Sequence, residues 1–197
     1  MNEIIETIKY KGYNINIYPD DCDESPRECD NLGTMICFHK RYNLGDKHEL
    51  NQNDFNSWDE LEDGIIEHYG KSIILPIYMY DHSGITISTS PFGCPWDSGQ
   101  IGYIFITKEK VKKEYGWKVI NKERKNKIIK YLDDEIKTYD QYLRGDIVGY
   151  KITNEEDEED NEIDSCWGFY NKDDMIKECE SIIDHYLKEN KNIGVNI

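Results

Sequence analysis

Nowhere in its 197 residues does the chain approach the roughly 18 consecutive apolar residues that a membrane-spanning helix requires. Its opening, "MNEIIETIKYKGY", has neither the basic start nor the apolar stretch of an export signal, so a cytoplasmic location without a membrane partner is the expectation. Apolar residues make up 38%, below the usual ~45–50%, although 15 Tyr and 4 Trp add buriable area with polar handles. Basic residues are also scarce: 24 Lys and Arg stand against 40 Asp and Glu, a net charge of −16. A surface that reads phosphates carries a Lys/Arg excess, so direct binding to a nucleic-acid backbone is not expected.

Tight cysteine pairs are missing too. Cys22, Cys29, Cys37, Cys94, Cys166 and Cys179 are widely spaced, which reads as free thiols in a chain without an export signal. Cys22, Cys29, Cys37 and His39 lack the close C-x₂-C spacing that organises most structural zinc sites. An EF-hand loop counted from Asp21 would put Pro26 at the glycine position and Leu32 at the bidentate glutamate, so it is excluded. No cofactor is predicted. A divalent cation held by Asp20, Asp21, Asp23, Glu24 and Asp81 stays open as an alternative to plain solvated carboxylates.

The stretch "DHSGITISTSPFGCPWDSGQIGYIFIT", residues 81–107, concentrates chemistry-bearing residue types. Ser83, Ser98 or Cys94 with His82 and Asp97 offers the ingredients of nucleophilic catalysis, and Asp81, His82 and Asp97 are the catalytic candidates of an enzyme reading. There is no strained G-x-S-x-G elbow, however, and Pro-Phe-Gly-Cys-Pro suits a tight connection between strands. The structural reading buries Trp96 and Trp167 and bonds Asp97 to backbone donors in its turn.

Hydrophobic patterning outlines an α+β fold: a mainly antiparallel sheet with about three helices, in one domain over 1–197. "GYNINIY" alternates like a half-buried strand, and "LGTMICFHKRY" reads as a second strand paired antiparallel to it. Ser57 and Glu60 have capping-box spacing before a helix that stops at Gly70. "SIILPIYMY", "GITIST" and "QIGYIFIT" are expected at the sheet centre. Ile128, Leu132, Ile136, Tyr139 and Leu143 recur at helical spacing before a Gly145 cap. "DIVGYKIT" and "SCWGFYN" form a hairpin with a mobile acidic tip at 155–164, and a last helix follows Asn171.

Charge is unevenly spread. Residues 1–107 hold 7 basic and 18 acidic side chains, residues 108–144 hold 12 and 7, and residues 145–197 hold 5 and 15. The basic island from Lys108 to Lys130 reads as the solvated face of one or two helices, or as a dock for an anionic ligand or for the acidic segments.

"DNLGTMICFHKRYNLGD", "YDHSGITISTSPFGCPWDSGQIGYIFITKEK", "TYDQYLRGDIVGY" and "DSCWGFY" together resemble a family of small proteins carried by phages and other mobile elements. Cys29 stands where such sequences tend to have an aromatic residue, and Asn171 where glycine is commoner. The resemblance implies a mobile-element origin in a bacterial host and no particular activity. Combined with the acidity, it points to an anti-defence inhibitor of anti-CRISPR or anti-restriction type, whose carboxylates imitate phosphates on a basic host surface. The contacts would come from Asp20, Asp21, Asp23, Glu24, Glu28 and Asp30, and from Glu155, Glu156, Asp157, Glu158, Glu159 and Asp160. The alternative is a metal-dependent hydrolase or nucleotide-processing enzyme using the 20–24 and 81–97 residues.

Overall fold

The computed structural model describes residues 3–21, 24–155 and 161–193. In chain order the elements are β1 (Glu6–Tyr10), β2 (Tyr13–Pro19), β3 (Thr34–Cys37), α1 (Trp58–Tyr69), β4 (Ser72–Asp81), β5 (Ile85–Ser88), β6 (Ser98–Thr107), α2 (Lys108–Tyr115), α3 (Lys122–Arg144), β7 (Val148–Asn154), β8 (Glu162–Phe169) and α4 (Lys172–Ile193). The fold is α+β, and all strand pairs are antiparallel. Length suggested one unit over 1–197, whereas the contacts gather into two: Met1–Asp23 with Gly145–Ile197, and Glu24–Arg144.

The first unit is a four-stranded sheet, ordered β1-β2-β7-β8, with α4 packed on it. The alternation in β2 turns Tyr13, Ile15 and Ile17 inward, where they meet Tyr150 and Ile152 of β7 and Met175, Cys179 and Ile183 of α4. Side chains spaced three and four apart fall on one helical face, which is why α4 can offer that stripe. Asn171 starts the helix by accepting bonds from the amides of Asp173 (3.0 Å) and Asp174 (3.2 Å). β1, which the sequence reading did not anticipate, is an edge strand joined to β2 through Lys11 and Gly12, both in the left-handed region.

The second unit has the strand order β3-β6-β4-β5 and carries helices on both faces. Along β6, Ile104 and Ile106 face α3, where Ile128, Leu132, Ile136 and Tyr139 are buried. Tyr103 and Phe105 point the other way, against Leu61 and Ile65 of α1. A strand covered on both sides has no solvent face, which accounts for the unbroken apolar run "IGYIFI". Each such large aliphatic or aromatic side chain, fully buried, contributes about 1.5–3 kcal/mol. Gly102 is required where β6 meets β3, because a Cβ there would collide with the carbonyl oxygen of Ile36.

Several expectations are corrected. β3 pairs with β6 in the second unit, not with β2, whose other neighbour is β7. β4 and β6 are central, but the "GITIST" strand β5 lies at the sheet edge. Ser57 caps α1 through the Glu60 amide at 3.2 Å, while the Glu60 carboxylate accepts from the amide of Asn56 (2.7 Å), one residue earlier than in the reciprocal box.

Candidate functional site

Trp96 and Trp167 are not buried. Trp96 is 92% exposed at the turn before β6, and Trp167 is 42% exposed. The Trp167 indole lies over Gly149, where any Cβ would clash with the ring, and 5.7 Å from the ring of Tyr18. It therefore covers a glycine on the sheet surface instead of entering the core. Asp97 also departs from expectation. Its carboxylate meets the Cys94 thiol at 3.7 Å and His82 Nδ1 at 3.4 Å, and its contribution to the backbone ladder is its carbonyl, which accepts from the Asp81 amide at 2.8 Å.

The 81–98 residues thus converge only in part. The Asp81 carboxylate is paired with Arg41 and lies 3.4 Å from the Tyr42 hydroxyl. Ser98 donates its hydroxyl to the Cys94 carbonyl, a bond that fixes the turn. Ser83 has a left-handed backbone, φ 58°, and His82 donates its amide to the Gly84 carbonyl at 3.0 Å, so the β4–β5 connection is a tight turn. Asp81, Asp97, Arg41, His39 and Trp96 line a shallow groove of about 380 Å³. No cluster of three or more His, Cys, Asp and Glu placed to hold a metal ion occurs among the described residues. Of the cation candidates, Asp23 lies outside those residues, as does Cys22 among the thiols.

Cys29, Cys37, Cys94, Cys166 and Cys179 are free thiols. Burial pushes the Cys37 thiol far up and the Cys179 thiol up to about 12, so neither offers a thiolate.

The acidic candidates are distributed unequally. The unit formed by Met1–Asp23 and Gly145–Ile197 contains 7 basic and 20 acidic residues, a net −13, while Glu24–Arg144 contains 17 and 20, a net −3. Five of the seven lysines in the acidic unit are each tied to a carboxylate: Lys9 to Glu155, Lys11 to Asp184 (2.6 Å), Lys151 to Glu162 (2.8 Å), Lys172 to Glu6, and Lys177 to Asp174 (2.8 Å). Hydrogen bonds from Lys151 and Ser165 hold the Glu162 carboxyl below its ordinary range, and Lys11 does the same for Asp184. These two groups stay ionised.

Of the predicted contact residues, Asp20, just after β2, accepts from the amide of Gly168 near the end of β8 at 2.7 Å, and Asp21 is exposed beside it. Glu155 leads out of β7, with its amide on the Gly12 carbonyl at 3.0 Å. Glu24, Glu28 and Asp30 belong to the second unit. Glu156, Asp157, Glu158, Glu159 and Asp160 lie outside the described residues.

Within the 20–30 segment the sequence reading missed Arg27. Its side chain is 4% exposed; it forks onto Asp46 (2.6 and 2.9 Å) and reaches Glu135 of α3 (3.0 Å) and the Gly33 carbonyl (2.9 Å). Glu135 in turn accepts from the amides of Leu32 (2.7 Å) and Gly33 (3.2 Å), and Asp46 accepts from Met35 (2.8 Å). A lone base inside an acidic run was the available signal. No family model matches the chain, and no curated protein or solved structure matches it.

Proposed function

We propose that the protein is an acidic binding protein, of the anti-defence kind carried by mobile elements, which occupies the basic nucleic-acid-binding surface of a host protein or complex. The observation that carries this reading is the concentration of charge: −13 of the chain's −16 belongs to one compact unit. Carboxylates on a rigid sheet can stand where phosphates would and draw in a positively charged groove, and complementary potentials of this kind raise association rates. The candidate contacts described in that unit are Asp20 and Asp21 at one end of its sheet and Glu155 at the other, together with Glu162 on β8 and Asp173 and Asp174 in the first turn of α4. Inhibition of a CRISPR or restriction system is the concrete form of this proposal.

The runner-up, a hydrolase or nucleotide-processing enzyme, draws on the His82–Asp97 contact at 3.4 Å and the adjoining groove. It is the weaker reading because the Asp81 carboxylate is engaged by Arg41 and the Ser98 hydroxyl by a backbone carbonyl.

The test is affinity capture from bacterial host lysate, with nuclease treatment and graded salt, followed by association kinetics on the captured partner. Changing Asp20, Asp21, Asp23 and Glu24 to Asn or Gln is expected to slow association more than it speeds dissociation, because rim charges steer encounter. Capture of no nucleic-acid-handling protein, together with nucleotide or ester turnover that depends on His82 or Asp97, would replace this reading with the enzymatic one.

A further inference from the structure

The clearest unassigned site is a groove of about 330 Å³ in the Glu24–Arg144 unit, lined by Lys108, Lys112, Lys118 and Lys125 over Ile73, Val119 and Ile120. Lys108 and Lys112 lie one turn apart on α2, Lys118 on the connection that follows, and Lys125 in the first turn of α3. None of the four makes an ion pair among the described residues, and no carboxylate lines the groove. Lys9, Lys11, Lys137, Lys151, Lys172 and Lys177 have an acidic partner; other lysines, Lys40 and Lys71 among them, also have none among the described residues, but these four share one groove. Four ammonium groups that border one groove without a carboxylate in its lining repel one another, and an anion placed among them relieves the repulsion.

The scaffold beneath the lysines is fixed. Thr107 caps α2 through the Lys110 amide (3.1 Å), and Gly116, in the left-handed region at φ 64°, ends it. Asn121 accepts from the Arg124 amide at 2.9 Å to start α3. Arg124 donates to the Val119 carbonyl at 2.7 Å while its guanidinium lies 4.9 Å from the Trp117 ring, which stacks on Tyr115 at 4.4 Å. The connection carrying Lys118 is therefore held at both ends, and its backbone needs little ordering when a ligand binds. Val119, 66% exposed, gives the groove an apolar lip.

The chemistry of the occupant follows from charge and size. Lysine ammoniums act as point charges suited to phosphate oxygens, and four of them call for more than one negative charge. A volume near 330 Å³ lies at the small end of ligand sites, which run to about 300–1,000 Å³. An extended polyanion would also be repelled by the chain's net charge of −16. We propose that this groove binds the condensed phosphate chain of a small molecule, either inorganic or carried by a nucleoside. The site is independent of the partner reading, and failure to capture a host protein leaves it standing.

Calorimetric titration of the full chain with sodium tripolyphosphate, and separately with a nucleoside triphosphate, at about 0.15 M salt tests it. Saturable one-site binding is expected, weakened at least about tenfold in the Lys112→Gln, Lys118→Gln double variant and retained when both are changed to Arg. Lys40→Gln, outside the groove, binds like the parent chain. Equal affinities for the two anions would assign recognition to the phosphates alone, and tighter binding of the nucleotide would add a nucleoside contact; both support the site. If the double variant fails to fold as judged by circular dichroism, Lys108→Gln, Lys125→Gln takes its place. Absence of binding in the millimolar range, unchanged affinity in the folded Gln variants, or tighter binding of a single-stranded oligonucleotide than of either triphosphate would overturn the proposal.

Discussion

Arg27 shows how much one side chain can hold in place. Burial alone would lower its pKa, but Asp46 and Glu135 outweigh that and raise it, so the guanidinium is charged under all ordinary conditions. Removing it strands two carboxylates, one of them 9% exposed, and frees the amides they organise around Leu32, Gly33 and Met35. Arg27→Ala is expected to cost about 3–5 kcal/mol in urea unfolding, the range for breaking a buried ion pair from one side. Arg27→Lys keeps the charge but loses the planar fork, and should fall between the two. Asp133 supplies a pH dependence. Burial raises its pKa, but bonds from Lys137 and Thr89 more than reverse this, leaving the folded value below the ordinary one. A depressed carboxyl contributes stability above its unfolded pKa of about 3.9, and this is lost as pH falls through the lower folded value. Asp133→Asn should therefore flatten the fall in melting temperature below about pH 4 and leave its shape near neutrality unchanged.

Among the elements, the β7–β8 hairpin carries the densest acid in the chain, with eight carboxylates in residues 155–164. The ion pairs on its described flanks, Lys9 with Glu155 and Lys151 with Glu162, are exposed. Such pairs contribute roughly 0–1 kcal/mol. Replacing residues 156–160 by Asn-Gly should accordingly move the melting temperature by less than about 4 °C, read by differential scanning calorimetry. A larger drop would mean that the acidic segment is docked. The hairpin, α1, α3 and α4 were all legible beforehand, because each combines a clean period with a chemical boundary such as Ser57, Gly145 or Asn171. β1 was not, since an edge strand exposed on most of its surface carries little alternation in "ETIKY". The partner of β3 was hidden for another reason: pairing with β6 spans some seventy residues and depends on Gly102 admitting the Ile36 backbone, which no local pattern encodes. Trp96 and Trp167 were misplaced because a position beside Gly and Pro at a strand boundary was read as burial; one stands exposed on its turn and the other shields Gly149. In the candidate site, the acidic carboxylates could be read directly, whereas the Arg27 network and the lysine groove arise only when distant segments meet.

For the whole molecule, the consequential feature is that the chain leaves its first unit at Asp23, builds the nearly neutral second unit, and returns at Gly145 to complete the acidic one. Summed over the sequence, the charge is −16; divided between the units, it becomes −13 against −3. No helix among the described residues is long and apolar enough to cross a membrane. Exposed charges are screened beyond a Debye length of about 8 Å at physiological ionic strength, and an interaction made by this unit should weaken steadily as salt rises. The central claim is that the acidic unit takes the place of nucleic acid on its partner. The most direct measurement is a competition: the captured partner is given labelled DNA or RNA, this protein is titrated in, and the bound fraction is followed by fluorescence anisotropy at several salt concentrations. The account predicts full displacement, with an affinity for the protein that falls as salt rises and a weaker effect from the Asp20, Asp21, Asp23 and Glu24 variant. A ternary complex in which the partner holds nucleic acid and this protein together, with nucleic-acid affinity unchanged, would contradict it.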